Sequence, residues 1–403
     1  MDRQNVFDWL WKVSCFGCGN NRIWDVIPEF RSVSEAAEML PRSELLSERE
    51  RRNAARVHPE QIDEIISYCE KHGIYILTYD DELYPERLRC IYNPPAVLFC
   101  RGDLKCLEND FSISVVGTRK PSDYSVKVTS ALVKELCSFG ITIVSGFAVG
   151  IDITAHLSAV SNGGKTIAVL GCGLDYDYPK ENAVYRSRIE ENGLFISEYF
   201  PKAAGSKISF PARNRILSGL SLGTVVAEAS EKSGALSTAN LALAQGKDIF
   251  VIAPHDLFDR RYGGNVALIR DGAVCLCGIR DIVYEYYENY GHKLSNARTA
   301  MPAELPKEGT GKTYKQAMKI DPYAEAETAD PEKSEKTESF DASLLDGEEA
   351  EIYGILKKSD RALLADEIAQ MCGKDISDVL MLLTDLELDG AVQSGAGSSY
   401  TAN

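Results

Sequence analysis

The chain has 403 residues, of which 44% are hydrophobic, and a formal net charge of −16. This length is sufficient for two or three domains with separate cores. No apolar run reaches the ~20 residues of a membrane span, and the first residues lack the layout of a signal peptide, so we expect a cytoplasmic protein. Eleven cysteines, an odd and scattered set, indicate reduced thiols rather than a disulfide framework.

The acidic charge is unevenly distributed along the chain. Residues 303–351 contain 14 Asp and Glu against 6 Lys and Arg, whereas residues 112–282 contain 16 against 18. A net charge of −16 by itself disfavours binding to nucleic acid. Because most of the excess lies outside the central region, a basic groove remains compatible with this composition.

Residues 1–72 are predicted to form a small helical domain. Its first helix has hydrophobic residues at helical spacing: Trp9, Leu10, Val13 and Phe16. Gly17-Cys18-Gly19 then interrupts the pattern, and a second helix begins near Arg22. Two helices around such a turn resemble a helix-hairpin-helix or SAM-like unit, and a plain helical packing domain remains the alternative. Cys15 and Cys18 form a CxxC pair without a second pair at zinc-site spacing, which favours a helix-end turn.

Residues 73–290 are predicted to form an extended Rossmann-like core, preceded by a short lead-in segment. Seven short, apolar and often β-branched runs alternate with helical patterns, as in buried parallel strands. These runs are Ile113–Val116, Ile141–Val144, Thr166–Leu170, Leu194–Ser197, Thr224–Ala227, Ile249–Ile252 and Val274–Leu276. The predicted fold class is α/β, with a doubly wound and mostly parallel sheet.

The remainder of the chain is predicted to contain a linker and a second folded domain. Residues 291–346 are rich in Glu, Lys, Ala, Thr and Pro and poor in large apolar groups, which predicts a disordered acidic linker. Residues 347–403 show three helical patterns followed by two short strand-like runs. Three helices and a small hairpin are typical of a winged helix.

Two glycine-containing turns follow the first two strands of the core. Gly117-Thr118-Arg119 follows the first strand, where glycine lets a ligand approach the backbone and the guanidinium suits a phosphate. The second turn contains Ser145, Gly146 and Gly150 and leads to Asp152, a candidate helix cap. Turns of this kind present backbone N–H groups and a helix dipole to an anion. The sequence therefore predicts a phosphate-binding crevice.

A basic and aromatic segment adds a second chemical signal. Phe210 precedes Arg213, Asn214 and Arg215, and Lys207 lies just upstream. A binding site for single-stranded nucleic acid requires cations that bind phosphates and an aromatic ring that stacks on a base. A basic helix start packed by Phe210 is the alternative interpretation. A third candidate anion site contains small residues at a helix start: Ser233, Gly234 and Thr238.

No catalytic or metal-binding set emerges from the sequence. The five histidines are scattered, and we interpret His156 as a packed helix residue. Gly311-Lys312-Thr313 and Gly164-Lys165-Thr166 lack the upstream glycine of a P-loop. We therefore expect a binding protein without catalytic residues, metal or cofactor.

In combination, seven segments resemble the DNA processing protein A family, also called DprA or Smf. The first is the lead-in segment 79–103, and the other six are VVGTR, VSGFAVGID, VLGCGLDYDYP, FPARNRILSGLS, VVAEASEKSGALSTANLALAQGKDIFVIAP and GGNVALIRDGA. The resemblance implies a homodimeric protein that binds and protects single-stranded DNA and loads the RecA recombinase during natural transformation.

The resemblance also implies roles for individual residues. Arg119 would contact phosphates, Lys207 and Phe210 would contact DNA, and Lys180 would be a further contact. Arg213 and Arg215 would line one basic pocket. The full set of expected DNA-binding residues is Gly117, Thr118, Arg119, Ser145, Gly146, Gly150, Lys180, Lys207, Phe210, Arg213, Asn214 and Arg215.

One loop of the sequence departs from the family pattern, and two other functions are alternative interpretations. After Pro254 the family usually has glycine, whereas this chain has His255 and a different loop, DLFDRRYGGN. One rival is a Rossmann-like enzyme of the phosphoribohydrolase type, although the segment EASEKSGALSTA lacks the glycine run and glutamate spacing of those enzymes. Another is a transcription regulator, but the DNA-facing helix of the winged helix, Ile376–Leu388, carries acidic residues and no Lys or Arg.

Overall fold

The computed structural model describes residues 3–26, 46–290, 347–359, 361–374, 376–388, 391–395 and 399–402, with isolated positions 35, 39 and 42–44. The chain forms two compact units, one within residues 1–309 and the other within residues 310–403. The predicted linker, residues 291–346, lies outside the described residues. None of the helices in the described ranges is long and apolar enough to cross a membrane.

The first unit contains twelve described α-helices and nine strands. The helices are α1 Arg3–Phe16, α2 Arg22–Val26, α3 Glu48–Ala54, α4 Pro59–Lys71, α5 Glu86–Arg89, α6 Asp123–Ser138, α7 Ile151–Ser161, α8 Arg186–Glu190, α9 Ser209–Leu220, α10 Gly234–Ala244, α11 Gly263–Arg270 and α12 Arg280–Tyr290. The strands are β1 Tyr75–Thr78, β2 Val97–Gly102, β3 Ser112–Val116, β4 Thr142–Ser145, β5 Thr166–Leu170, β6 Gly193–Ser197, β7 Gly223–Val226, β8 Asp248–Ile252 and β9 Val274–Leu276.

The N-terminal helices pack on the same core as one end of the sheet. Val6, Leu10 and Val13 of α1 are buried in a cluster that also contains Phe99 of β2 and Phe195 of β6. The predicted boundary between a domain 1–72 and a domain 73–290 stays a prediction. Cys15 and Cys18 lie at the end of α1, and burial raises the pKa of both thiols to about 12.

The nine strands form one sheet in the order β1-β2-β6-β5-β4-β3-β7-β8-β9. Strands β3 to β9 are mutually parallel, whereas β2 pairs antiparallel with both β1 and β6. All seven predicted strands are confirmed within one residue at each end. Adjacent residues of β3 enter different cores: Val115 packs with helices α6 and α7, and Val116 packs with α9 and α10. Helices on both faces define the doubly wound architecture.

The chain reverses its winding direction at β3. Strands β4, β5 and β6 continue from one side of β3, and β7, β8 and β9 continue from the other. The connections after β3 and β7 therefore diverge to opposite faces of the sheet and leave a crevice between their carboxyl ends. In open α/β sheets this topological switch point is where ligands bind.

The second unit is a winged helix, as predicted. It contains α13 Gly347–Lys357, β10 Leu363–Leu364, α14 Ala365–Cys372, α15 Ile376–Leu388, β11 Val392–Gly395 and β12 Ser399–Ala402. Strand β12 pairs with both β10 and β11, so the predicted hairpin gains a two-residue strand that the sequence did not indicate. Ile352, Ile368 and Leu383, one from each helix, are fully buried together.

Candidate nucleic-acid interface

A cleft of about 410 Å³ lies at the topological switch point, and we call it the switch-point cleft. It is bounded by the turn after β3, the start of α9 and the loop from β7 to α10. The structure thus brings together segments that are more than 100 residues apart. Predicted site residues that line the cleft are Gly117, Thr118, Arg119, Phe210, Arg213, Asn214, Ser233, Gly234 and Thr238.

The turn after β3 places an available cation at the cleft. The Thr118 amide donates to the Glu228 carbonyl (2.8 Å), and the Thr118 carbonyl accepts from the Ile151 amide (3.2 Å). These bonds fix the turn against the neighbouring loop and against α7. Arg119 is exposed and makes no hydrogen bond or ion pair with any residue that the structure describes. Its guanidinium can therefore bind a phosphate without breaking a native contact.

The turn after β4 is held in place by close backbone packing at Gly150 and by two hydrogen bonds that involve side chains. Gly150 has φ +87°, and a Cβ there would lie 2.4 Å from the Thr118 carbonyl oxygen, so only glycine fits this position. The Ser145 hydroxyl donates to the Val115 carbonyl (2.6 Å), and the Gly146 amide donates to the Asp152 carboxylate (3.1 Å). Ser145, Gly146 and Gly150 shape the cleft rather than line it. Their predicted DNA contacts stay predictions.

Phe210 contributes an aromatic surface held at a fixed position. Its ring lies 4.8 Å from the Tyr178 ring, at an interplanar angle of 40°. A Cβ on Gly171 would lie 2.5 Å from the ring, and one on Gly205 would lie 2.6 Å from it. Neighbours without side chains therefore hold the ring closely, while its remaining surface lines the cleft.

Arg213 is a buried brace at the base of the cleft. Its Nη1 donates to the Gly146 carbonyl (2.8 Å) and to the Val169 carbonyl, and its Nε donates to Asn214 Oδ1 (3.2 Å). Burial lowers the pKa of Arg213, and the nearby Asp152 carboxylate opposes that shift. The guanidinium joins the carboxyl ends of β4 and β5 and supplies a fixed positive charge to the cleft.

Asp152 is a cleft residue that the sequence reasoning placed only as a helix cap. Its Oδ2 accepts from the amides of Gly146 (3.1 Å) and Ala148 (3.3 Å). Burial raises the pKa of the carboxyl to about 6, although Arg213 and the two amides favour the ionised form. The signal that could have found it is an acidic residue in the first turn after a glycine-rich loop.

Arg215 requires a correction, because it does not share a pocket with Arg213. Two residues along a helix correspond to about 200°, so the two side chains leave α9 on opposite sides. Arg215 is buried against Glu198, with Nη2 to Oε1 at 2.6 Å, and its Nε donates to the Asn93 carbonyl (2.8 Å). These contacts join α9 to the segments before β2 and after β6, away from the cleft lining.

Two predicted lysines are exposed but do not line the cleft. Lys180 begins a short 3-10 helix directly after the Tyr178-Pro179 peptide and lies two residues after Tyr178, whose ring packs on Phe210. Lys207 lies two residues before α9. Both therefore flank the side of the cleft formed by Phe210, and their DNA contacts stay predictions.

The start of α10 provides the third candidate anion site. Ser233 caps the helix, with its hydroxyl accepting from the Ala235 amide (3.3 Å). Gly234 is exposed, with open space where a side chain would be, and Thr238 lies one turn further along. An eleven-residue helix thus directs its positive end toward the cleft.

His156 packs inside the protein, as interpreted from the sequence. Its Nδ1 lies 2.7 Å from the Thr166 hydroxyl, and burial lowers its pKa to about 3, with Arg213 adding to the shift. A ring held neutral in this way is a structural group. Across the ranges that the structure describes, no group of three His, Cys, Asp or Glu is placed to hold a metal ion.

The fold and the cleft define a doubly wound α/β protein with a cleft at its topological switch point and a second compact unit that is a winged helix. The chain belongs to the DNA recombination-mediator protein A family, whose model matches residues 75–287. The model of the DprA winged helix domain matches residues 330–398. The resemblance to the DprA/Smf family is thereby confirmed.

Individual relatives agree with this membership. The DNA processing protein DprA of Bacillus subtilis is 36% identical over 265 residues, which cover 66% of this chain and 89% of that protein. The Streptococcus pneumoniae DprA is 41% identical over 206 residues, covering 51% and 72%. The X-ray structure of the S. pneumoniae DprA covers 69% of this chain and 97% of its own, with a TM-score of 0.62 and 33% identity.

Proposed function

We propose that this chain binds single-stranded DNA in the switch-point cleft. The observation that carries the proposal is that an available cation, Arg119, and an immobilised ring, Phe210, line one cleft that the α10 N-terminus also faces. The cation and the helix end suit phosphates, and the ring suits an unpaired base. Binding of this kind is salt-sensitive and largely independent of base sequence.

The finer role follows from the family and is also part of the proposal. A cytoplasmic homodimer would protect incoming single-stranded DNA and load the RecA recombinase on it during natural transformation. Support comes from the family description, a DNA recombination mediator, and from relatives named DNA processing proteins. We propose no catalytic reaction and no cofactor.

The carboxylates near the cleft disfavour the rival phosphoribohydrolase interpretation, because both are already engaged in hydrogen bonds within the protein. Glu228 accepts from the Ser122 amide (2.9 Å) and hydroxyl (2.7 Å), so it anchors the start of α6. Asp152 accepts from two backbone amides. Both carboxylates are buried in structural hydrogen bonds. Incubation with nucleoside monophosphates tests the rival, because release of free base would support it.

The test of the proposal is the fluorescence anisotropy of a labelled oligo-dT at several salt concentrations. We expect the logarithm of the association constant to fall by about 0.7 per neutralised phosphate for each decade of salt. A mixed-sequence oligonucleotide should bind with similar affinity, and a duplex of equal length more weakly. Absence of binding at low salt would contradict the proposal.

A pH dependence of DNA binding follows from Asp152. Because burial raises its pKa to about 6, the carboxyl is neutral below that pH and adds a negative charge to the cleft above it. Affinity for oligo-dT at constant ionic strength should therefore fall roughly three- to tenfold between pH 5 and pH 7.5. Asp152→Asn should remove this part of the pH dependence. An equal slope in the two proteins would refute the assignment.

A further inference from the structure

The loop between β8 and α11, residues 254–262, exposes two large hydrophobic side chains. Phe258 is 93% exposed and Leu257 is 71% exposed. This is the loop whose sequence departs from the family pattern. A ring with almost its whole surface in water adds nothing to the protein core, whereas it is available to stack on a ligand.

The loop is anchored at both ends on α6. The Tyr124 hydroxyl donates to the Ala253 carbonyl (2.9 Å) at the end of β8. The Tyr262 hydroxyl lies 2.7 Å from the Ser122 hydroxyl and 2.8 Å from that of Ser125. Within the loop, Asp256 Oδ1 accepts from the Phe258 amide (2.8 Å). The exposed ring therefore projects from a supported turn.

The loop lies at the same edge of the sheet as the switch-point cleft. Strand β8 pairs with β7 in parallel, and β7 pairs with β3, so the loop begins two strand spacings, about 10 Å, from the turn that carries Arg119. Ser122, which supports the loop through Tyr262, is three residues after Arg119. A strand bound in the cleft and extended along this edge of the sheet would reach the loop.

The charges of the loop leave one cation available beside the ring. Arg261 is paired with Asp259, with Nη2 to Oδ2 at 2.7 Å, and Asp256 is engaged by the Phe258 amide. The Arg260 carbonyl accepts from the Gly263 amide, whereas its exposed guanidinium has no hydrogen bond or ion pair with the residues that the structure describes. An exposed ring and an available guanidinium in one loop repeat the combination of Phe210 and Arg119 that lines the cleft.

We propose that residues 254–262 form a second contact for single-stranded DNA, in which Phe258 stacks on a base and Arg260 binds a phosphate. The inference rests on the proposed function, since the loop engages a strand that is already held in the switch-point cleft. It adds a requirement that the cleft alone does not impose: the strand must be long enough to reach both sites. Affinity should therefore increase with oligonucleotide length until the loop is occupied.

The test compares Phe258→Ala and Arg260→Ala with the unmodified chain on oligo-dT of increasing length. On long oligonucleotides, we expect Phe258→Ala to weaken binding roughly 5- to 150-fold, the range for losing one stacked base. On the shortest oligonucleotide that binds, affinity should be unchanged. Tyr92→Ala, which removes another exposed ring (81% exposed), is the matched control and should bind like the unmodified chain at every length.

A spectroscopic measurement reports on stacking directly. The emission of Phe258→Trp, after subtraction of the emission of the three native tryptophans, should be quenched by long oligo-dT and not by the shortest one. Loop variants that match the unmodified chain at all lengths, while Arg119→Ala binds weakly, would overturn the loop site and leave the cleft intact. No binding by the unmodified chain would overturn both proposals. A loop variant with reduced self-association in sedimentation but unchanged affinity would identify Phe258 as a contact between copies, and would also overturn the loop site.

Discussion

Simultaneous replacement of Arg119 and Phe210 by alanine should lower the affinity for oligo-dT by about two orders of magnitude. Loss of a stacked base costs about 1–3 kcal/mol, and loss of a phosphate contact adds about 1 kcal/mol. Since 1.4 kcal/mol corresponds to a factor of ten, the sum approaches a hundredfold. Anisotropy titrations at low salt measure the change, and circular dichroism verifies that the variant is folded.

The single variants separate the two contributions. Arg119→Ala should reduce the salt dependence by about one phosphate, whereas Phe210→Ala should weaken binding without changing that slope. A matched control is Arg270→Ala with Tyr284→Ala, which removes an arginine and an aromatic ring at exposed positions outside the cleft lining. Equal losses in the control and in the test variant would contradict the placement of DNA in the cleft.

Replacement of Arg213 by methionine should lower the free energy of unfolding of the first unit by about 3–5 kcal/mol, the range for leaving a buried charge without its compensating opposite charge. Methionine retains much of the volume but donates no hydrogen bond, so the Gly146 and Val169 carbonyls lose their partner and Asp152 loses its nearest cation. Urea denaturation followed by near-ultraviolet circular dichroism measures the shift.

Two further variants test whether the loss of stability comes from the internal contacts and the charge of Arg213. Arg119→Met removes an arginine from the same cleft but from an exposed position without internal contacts, and it should leave stability unchanged. Adding Asp152→Asn to Arg213→Met should recover part of the loss, because it removes the unpaired carboxylate. If Arg213→Met unfolds at the same urea concentration as the unmodified chain, Arg213 is a ligand-binding group rather than a brace.

Much of the fold follows from local sequence. The buried parallel strands are short apolar runs such as Thr166–Leu170, and their limits are set by polar or glycine residues next to them. The turn containing Gly150 was identifiable because the helix that follows begins immediately after it. Features of this kind depend on chain neighbours, and the sequence displays them directly.

The site was only partly predictable, because helix orientation depends on distant partners. Positions 213 and 215 are both arginine and lie two residues apart, yet Arg213 contacts Val169 and Arg215 contacts Glu198. Nothing local to α9 shows which carboxylate or carbonyl each arginine meets. Asp152 was underestimated for the same reason, since its significance comes from the approach of Arg213, 61 positions later in the chain.

The pairing of β3 with β7 has a consequence for the order of events during synthesis. Val116 lies opposite Val226, and the cleft needs residues from both sides of that pairing and from α10 beyond it. An emerging chain that has not yet released Thr238 therefore has neither a complete cleft nor the helix end that faces it. Because such long-range pairings form after local structure, the capacity to bind DNA should arise late and in a single step.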